Sequence, residues 1–163
     1  MSPIFSTICL FAIVTLVTHV VKLFIKKRSN TKEALLLHLS KQGSANNLVF
    51  CSQEILGNKV MGIDGVHRKV MIVEKVDRKY QTSVWCLDEV ESCELKKSFG
   101  LSRNLNKIEL QFGFKNKNAT PACVTFYDQF VNSKREVVLL KAKAEFWSLM
   151  LSKMLVRHAE VTV

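Results

Sequence analysis

The period of apolar residues changes once along this chain, and that change limits what it can fold into. In "KIELQFGF", residues 107–114, Ile108, Leu110, Phe112 and Phe114 alternate with Lys107, Glu109, Gln111 and Gly113. A two-residue period predicts a strand with one face buried and one face wet. Beyond Ser133 the period lengthens. Leu140, Ala144, Trp147, Leu151 and Met154 recur at steps of three and four, which predicts an amphipathic helix. Ser133 and Glu136 have the spacing of a capping box at its start.

Between Leu48 and Phe130 the other segments also read as strands. They are "NLVFCSQEIL", "KVMGID", "KVMIVEK", "TSVWCL", "VESCELKK" and "ACVTFYDQF", with a hairpin turn at Gly65. The expected class is therefore mainly β with α, an α+β fold of about seven short strands followed by one helix. A small antiparallel sheet that curls must close or cover its open end. The final helix can do so, with Trp147 as the plug and Trp85 as a second core aromatic. The chain beyond Arg157 is short and is expected to fray.

The opening is of a different kind. From Pro3 to Val21 no side chain is charged, and Lys22 is followed by the cluster Lys26-Lys27-Arg28. About 20 apolar residues span a bilayer core. With no basic residue before Lys22 and no small-residue cleavage site, the stretch reads as a transmembrane anchor in preference to a cleaved signal. The basic stop predicts an outward N-terminus and a cytoplasmic remainder at the inner membrane. After it, Thr31 or Asn30 caps a short juxtamembrane helix with Leu35, Leu36, Leu37 and Leu39 on its apolar side. Gly43 is expected to end that helix, and "GSANN" to serve as a hinge. The expected divisions are thus 1–28 for the anchor, 29–45 for the juxtamembrane helix and hinge, 46–158 for the folded domain and 159–163 for a tail.

Charge narrows the partners. The chain carries 24 Lys and Arg against 14 Asp and Glu. All of the acids and all but one of the bases follow Ile25. Such a balance favours an anionic surface, either lipid headgroups or an acidic protein. Nucleic acid fits less well, because the aromatic residues fall on apolar faces and do not interleave with Lys and Arg. Five bases, Arg68, Lys69, Lys75, Arg78 and Lys79, lie within twelve residues at two strand ends. Together with Lys26, Lys27 and Arg28 they are the candidate contacts to an anionic surface.

Catalytic, cofactor and metal signatures are not found. Phosphate-loop, dinucleotide, zinc-protease and nucleophile-elbow motifs are missing. Four histidines, His19, His38, His67 and His158, are far apart, and His67 reads as an exposed turn residue. Asp88, Glu89 and Glu91 form an acidic patch without a second cluster to complete a metal or acid–base site. Cys51, Cys86, Cys93 and Cys123 show no paired spacing and read as small buried hydrophobes. No catalytic residue, cofactor or metal is assigned.

The order of elements, with the stretches "VMGIDGVHRKVMIVEK" and "VWCLDEVESCELKK", resembles bacterial pleckstrin-homology-like domains. Ile63-Asp64, Lys69 to Val73, and Leu87 to Val90 carry the likeness, which covers about residues 46–156. The resemblance implies a curled antiparallel sheet capped by a C-terminal helix, and a binding module in place of an enzyme. Many members of that group are membrane-tethered. Phosphoinositide-binding members place basic residues in the first inter-strand loop, where this chain has only Lys59. Its bases cluster at later turns, so the implied contact is general attraction to anionic headgroups. The expected function is a membrane-anchored binding or scaffolding module with an unnamed protein or lipid partner. Its rivals are a structural subunit of a membrane complex and a small membrane-associated enzyme.

Overall fold

The computed structural model describes residues 3–77, 79–100 and 104–161, with side chains for all of these except 3–12, 23–29 and 156–161. Helix α1 spans Pro3–Ala45. Seven strands follow: β1 Ser52–Leu56, β2 Lys59–Asp64, β3 Lys69–Val76, β4 Lys79–Cys86, β5 Val90–Phe99, β6 Leu105–Phe114 and β7 Ala122–Asp128. Short 3-10 turns lie at Leu87–Glu89 and Lys134–Glu136, and helix α2 runs Val137–Val161. Strands β1 to β4 form one antiparallel sheet in sequence order, and β5 to β7 form another.

The α+β class, the strand sequence and the closing helix agree with the sequence. The strands, however, divide into two sheets where one curled sheet is expected, because β4 and β5 are joined by a 3-10 turn and do not pair. The membrane span does not agree. One unbroken helix of 43 residues occupies the region divided above into an anchor and a juxtamembrane helix. Among the described residues, no helix is long and apolar enough to cross a membrane. Among the described side chains, Ile13, Val14, Leu16, Val17, Val20 and Val21 are the apolar positions of the opening stretch. Thr15, Thr18, His19 and Lys22 dilute them. Thr18 Oγ1 donates to the Thr15 carbonyl at 2.9 Å. The backbone then continues through positions 26–28 because neither Gly nor Pro interrupts it before Gly43.

Gly43 does not end α1 either. Asn47, at φ +54°, takes the left-handed turn. Leu48 N–H donates to the Gly43 carbonyl at 2.9 Å and Asn47 N–H to the Ser44 carbonyl at 3.2 Å. This is the Schellman arrangement, in which a left-handed residue lets the chain fold back on the last carbonyls. Gly43 serves packing instead: a Cβ at its position would lie 2.4 Å from the Phe50 ring. At the other end of the chain α2 passes Arg157, where fraying is expected, because no Gly or Pro stops it before Val161.

Two cores result. The outer face of the first sheet packs against the C-terminal part of α1 through Leu35, Leu39, Leu48, Val60, Met71 and Val73. The inner face meets the second sheet and α2. Met61, Ile63, Val70 and Ile72 lie there with Ile108, Leu110, Phe112 and Trp147. The alternation of β6 therefore reads correctly, with Ile108, Leu110 and Phe112 buried. The stripe of α2 does so too, with Leu140, Ala144, Trp147 and Leu151 buried. Glu136 Oε2 accepts the Ser133 N–H at 2.9 Å, fixing the entry to the helix. Trp85 is half-buried, its ring 4.9 Å from that of Phe112. Of the four described cysteines only Cys93 is buried, and Cys51 and Cys123 are exposed. Burial, helped by the neighbouring Glu94 charge, pushes the Cys93 thiol pKa up to about 12.

Candidate functional site

The β1–β2 hairpin turns at Gly57-Asn58, where Gly57 adopts φ +64°, a conformation that suits a residue without a Cβ. Asn58 Nδ2 donates to the Lys75 carbonyl at 3.1 Å and to Glu74 Oε1 at 3.3 Å, joining this turn to the end of β3. Beside the turn opens a cleft of about 230 Å³. Its apolar lining is Leu56, Phe126, Val131 and Leu140, its cations are Lys59 and Lys107, and its acid is Asp128. Lys59 Nζ lies 3.1 Å from Glu74, and Lys107 Nζ lies 2.7 Å from Glu109. The bond to Glu109 raises the Lys107 pKa against the opposing effect of burial.

A tight loop forms one wall. Asp128 Oδ1 accepts the Phe130 N–H at 2.9 Å, and Asn132 Oδ1 accepts the Asp128 N–H at 2.9 Å. The Asp128 carbonyl accepts from Val131 N–H and Asn132 N–H at 3.0 and 2.8 Å. With its ends closed in this way, the loop holds Phe130 and Val131 outward, at 88% and 76% exposure. An exposed apolar pair thus stands beside a cleft that carries two lysines. The surface ion pairs that occupy those lysines are weak, worth about 0–1 kcal/mol, so an incoming anion can replace them.

The basic residues singled out in the sequence fall in several places. Arg68 and Lys69 lie at one end of β3, while Lys75 and Lys79 lie at the other, about 20 Å away at the rise of a strand. The five-base cluster in the sequence is therefore split in space. Arg68 turns inward. Its Nε donates to Asp88 Oδ1 at 2.6 Å and its Nη1 to the Met154 carbonyl at 3.1 Å. Lys69 is half-buried, and Lys79 is exposed. Lys75 Nζ sits 5.9 Å over the Tyr80 ring. Lys75 and Lys79 share the end of the sheet that carries Asn58 and Lys59. Arg78, and the side chains of Lys26, Lys27 and Arg28, lie outside the described residues.

Two relationships escaped the sequence. His67 has a partner: its Nδ1 lies 2.8 Å from Oδ2 of the buried Asp64. Asp64 also accepts the N–H groups of Val49, Val66 and His67 at 2.8, 2.8 and 2.9 Å. Burial alone would raise the Asp64 pKa, but these bonds outweigh it and hold the carboxyl well below its usual range. His38 stacks on Tyr80, with ring centroids 4.4 Å apart. The strands expected from the sequence take in Lys107 and Phe130 and stop short of Val131. An apolar pair bracketed by Asp128, Asn132 and Ser133, all turn formers, is the signal that marks the loop tip.

Compared with family models, curated proteins and solved structures, the chain matches none of them.

Proposed function

We propose that this chain is a binding module that docks the cleft end of its first sheet on an anionic lipid surface. The observation that carries this reading is the exposed Phe130–Val131 pair beside Lys59 and Lys107. An apolar tip enters the acyl boundary while flanking lysines meet headgroup phosphates. Each lysine near such a surface contributes about 1 kcal/mol. Burial of a large apolar side chain adds about 1.5–3 kcal/mol. Lys75 and Lys79, at the same end, extend the basic rim. The resemblance to pleckstrin-homology-like domains belongs to the same proposal, and the four-plus-three strands closed by α2 support it.

The test is vesicle sedimentation of the full chain on neutral and anionic vesicles at low and physiological salt. Because α1 exposes Ile13, Leu16 and Val17, binding to neutral vesicles is the baseline. Expected is an added, salt-sensitive component on anionic vesicles, lost in Lys59→Glu/Lys107→Glu and weakened in Phe130→Ser. Equal binding to both vesicle types, at either salt, refutes the proposal.

A second reading, a structural subunit of a larger assembly, is favoured by one observation. Val138, Phe146 and Leu149 form an exposed apolar row on the outer side of α2, opposite the stripe that covers the core.

A further inference from the structure

We propose that β4 is a self-pairing edge, through which two copies of this chain join their four-stranded sheets into one eight-stranded sheet. The inference is independent of lipid binding. Among the described residues four strands, β1, β4, β5 and β7, stand at sheet edges. Natural sheets protect such edges with charge, proline, bulges or short length, because unpaired N–H and C=O groups are a template for another strand. Three of the four are protected here. β1 has five residues, and its Glu54 is held by Lys143 at 2.8 Å. β5 breaks register twice and carries Glu91, Glu94, Lys96 and Lys97. β7 follows Pro121, and its ladder with β6 is bulged.

β4 has only one of these devices, the exposed Lys79 at its first position, and none along the rest of its length. It keeps one register with β3 from Lys69↔Cys86 to Val76↔Lys79, with no bulge. From Tyr80 to Cys86 it contains no charge, proline or glycine. Tyr, Thr, Val and Trp favour extended backbone. Gln81, Thr82, Ser83 and Val84 are all exposed. Among the described residues β4 pairs with β3 alone.

The distribution of charge selects a second copy as the occupant. At the start of β4 Lys75 and Lys79 outnumber the exposed Asp77, and at its end Asp88, Glu89 and Glu91 outnumber Arg68 and Lys69. A two-fold axis runs paired strands antiparallel, so the basic end of each copy lies beside the acidic end of the other, twice over. Parallel addition would set basic against basic. With the two-fold axis at Thr82, Thr82 opposes its counterpart and Ser83 opposes Gln81 of the second copy, and opposed polar side chains that can hydrogen-bond are favourable cross-strand neighbours.

The experiment is sedimentation equilibrium of the full chain in a nonionic detergent, which covers the exposed apolar side chains of α1 without competing for backbone hydrogen bonds. Expected is a concentration-dependent monomer–dimer equilibrium. Thr82→Lys/Ser83→Lys, which places like charges around the axis, is expected to raise the dimer dissociation constant at least tenfold while leaving thermal unfolding of the monomer unchanged. Amide exchange of the wild-type chain gives an arm that needs no variant: protection in residues 80–86 should rise with protein concentration. A wild-type chain that stays monomeric, a dimer indifferent to the two lysines, or β4 amides indifferent to concentration would each overturn the proposal. The first of these results would leave the edge to an extended segment of another protein.

Discussion

Arg68 and Met154, 86 positions apart, are joined by a 3.1 Å hydrogen bond from Nη1 to the backbone carbonyl. Arg68 takes φ +52° in the β2–β3 turn, and its carbonyl accepts the Leu87 N–H at 2.7 Å. One residue thus ties a hairpin of the first sheet to the 3-10 turn and to α2. Arg68→Met keeps the bulk and removes the donors. It should cost about 1–2 kcal/mol, the lower part of the range for removing a hydrogen-bonded partner, because the site is only partly buried. Amide exchange should quicken over residues 150–155 before it does elsewhere in α2. Arg68→Lys should not rescue this, because an ammonium lacks the planar fork that serves Asp88 and the carbonyl together.

Phe50 is held between two glycines. A Cβ at Gly43 would lie 2.4 Å from Phe50 Cε2, and one at Gly62 would lie 2.8 Å from Phe50 Cδ1. In an exposed helix Gly→Ala stabilises by about 1 kcal/mol. At Gly43 the sign should reverse, with a loss of about 1–3 kcal/mol from overpacking. Chemical denaturation of Gly43→Ala, alone and combined with Phe50→Leu, checks this. The double variant should recover much of the loss.

Asp64 makes stability depend on acid pH. Its carboxyl is lowered from the ordinary value near about 4. The stabilisation is therefore complete above that ordinary value and fades as pH falls toward the lower folded one. Melting temperature should drop between about pH 4 and pH 2 more steeply in the wild type than in Asp64→Asn. At pH 7 the variant should be weaker by about 2 kcal/mol, since an amide nitrogen cannot accept the N–H groups that face the carboxylate. Parallel pH profiles for the two proteins would count against the account.

Trp147 is 1% exposed and sits among the residues of both sheets. Trp147→Ala should cost about 3–5 kcal/mol, as large aromatic truncations in cores do. Phe146, its exposed neighbour at 57%, gives the control: Phe146→Ala should change unfolding by less than about 1 kcal/mol.

What the sequence disclosed follows from which features are local. The alternation of Ile108, Leu110 and Phe112 and the stripe through Trp147 are periodicities within one element, and both are seen in the buried faces. Gly43 has the look of a helix stop in the sequence, while its role is set by Phe50, which arrives from outside the helix. The apolar opening resembled a span because a helix that projects from a domain and a helix that crosses a bilayer share a composition. The cleft was illegible for another reason. Lys59, Lys107 and Val131 come from three distant segments, and only the packing of one sheet against the other brings them together. Arg68 and Lys79 looked like neighbours because sequence distance hides the length of β3 between them.

The unbroken course of α1 has a mechanical consequence. From Leu35, where the helix grips the sheet, back to Pro3 is about 48 Å of continuous helix at 1.5 Å per residue. No hinge interrupts it, so the helix is a lever arm whose fulcrum is the outer face of the first sheet. A rotation of about 10° at Leu35 and Leu39 sweeps the far end through about 8 Å, given that length. Whatever grasps the distal end therefore fixes the bearing of the cleft and of β4 at the same time, and a load applied there is delivered to Met71 and Val73 at the centre of the sheet.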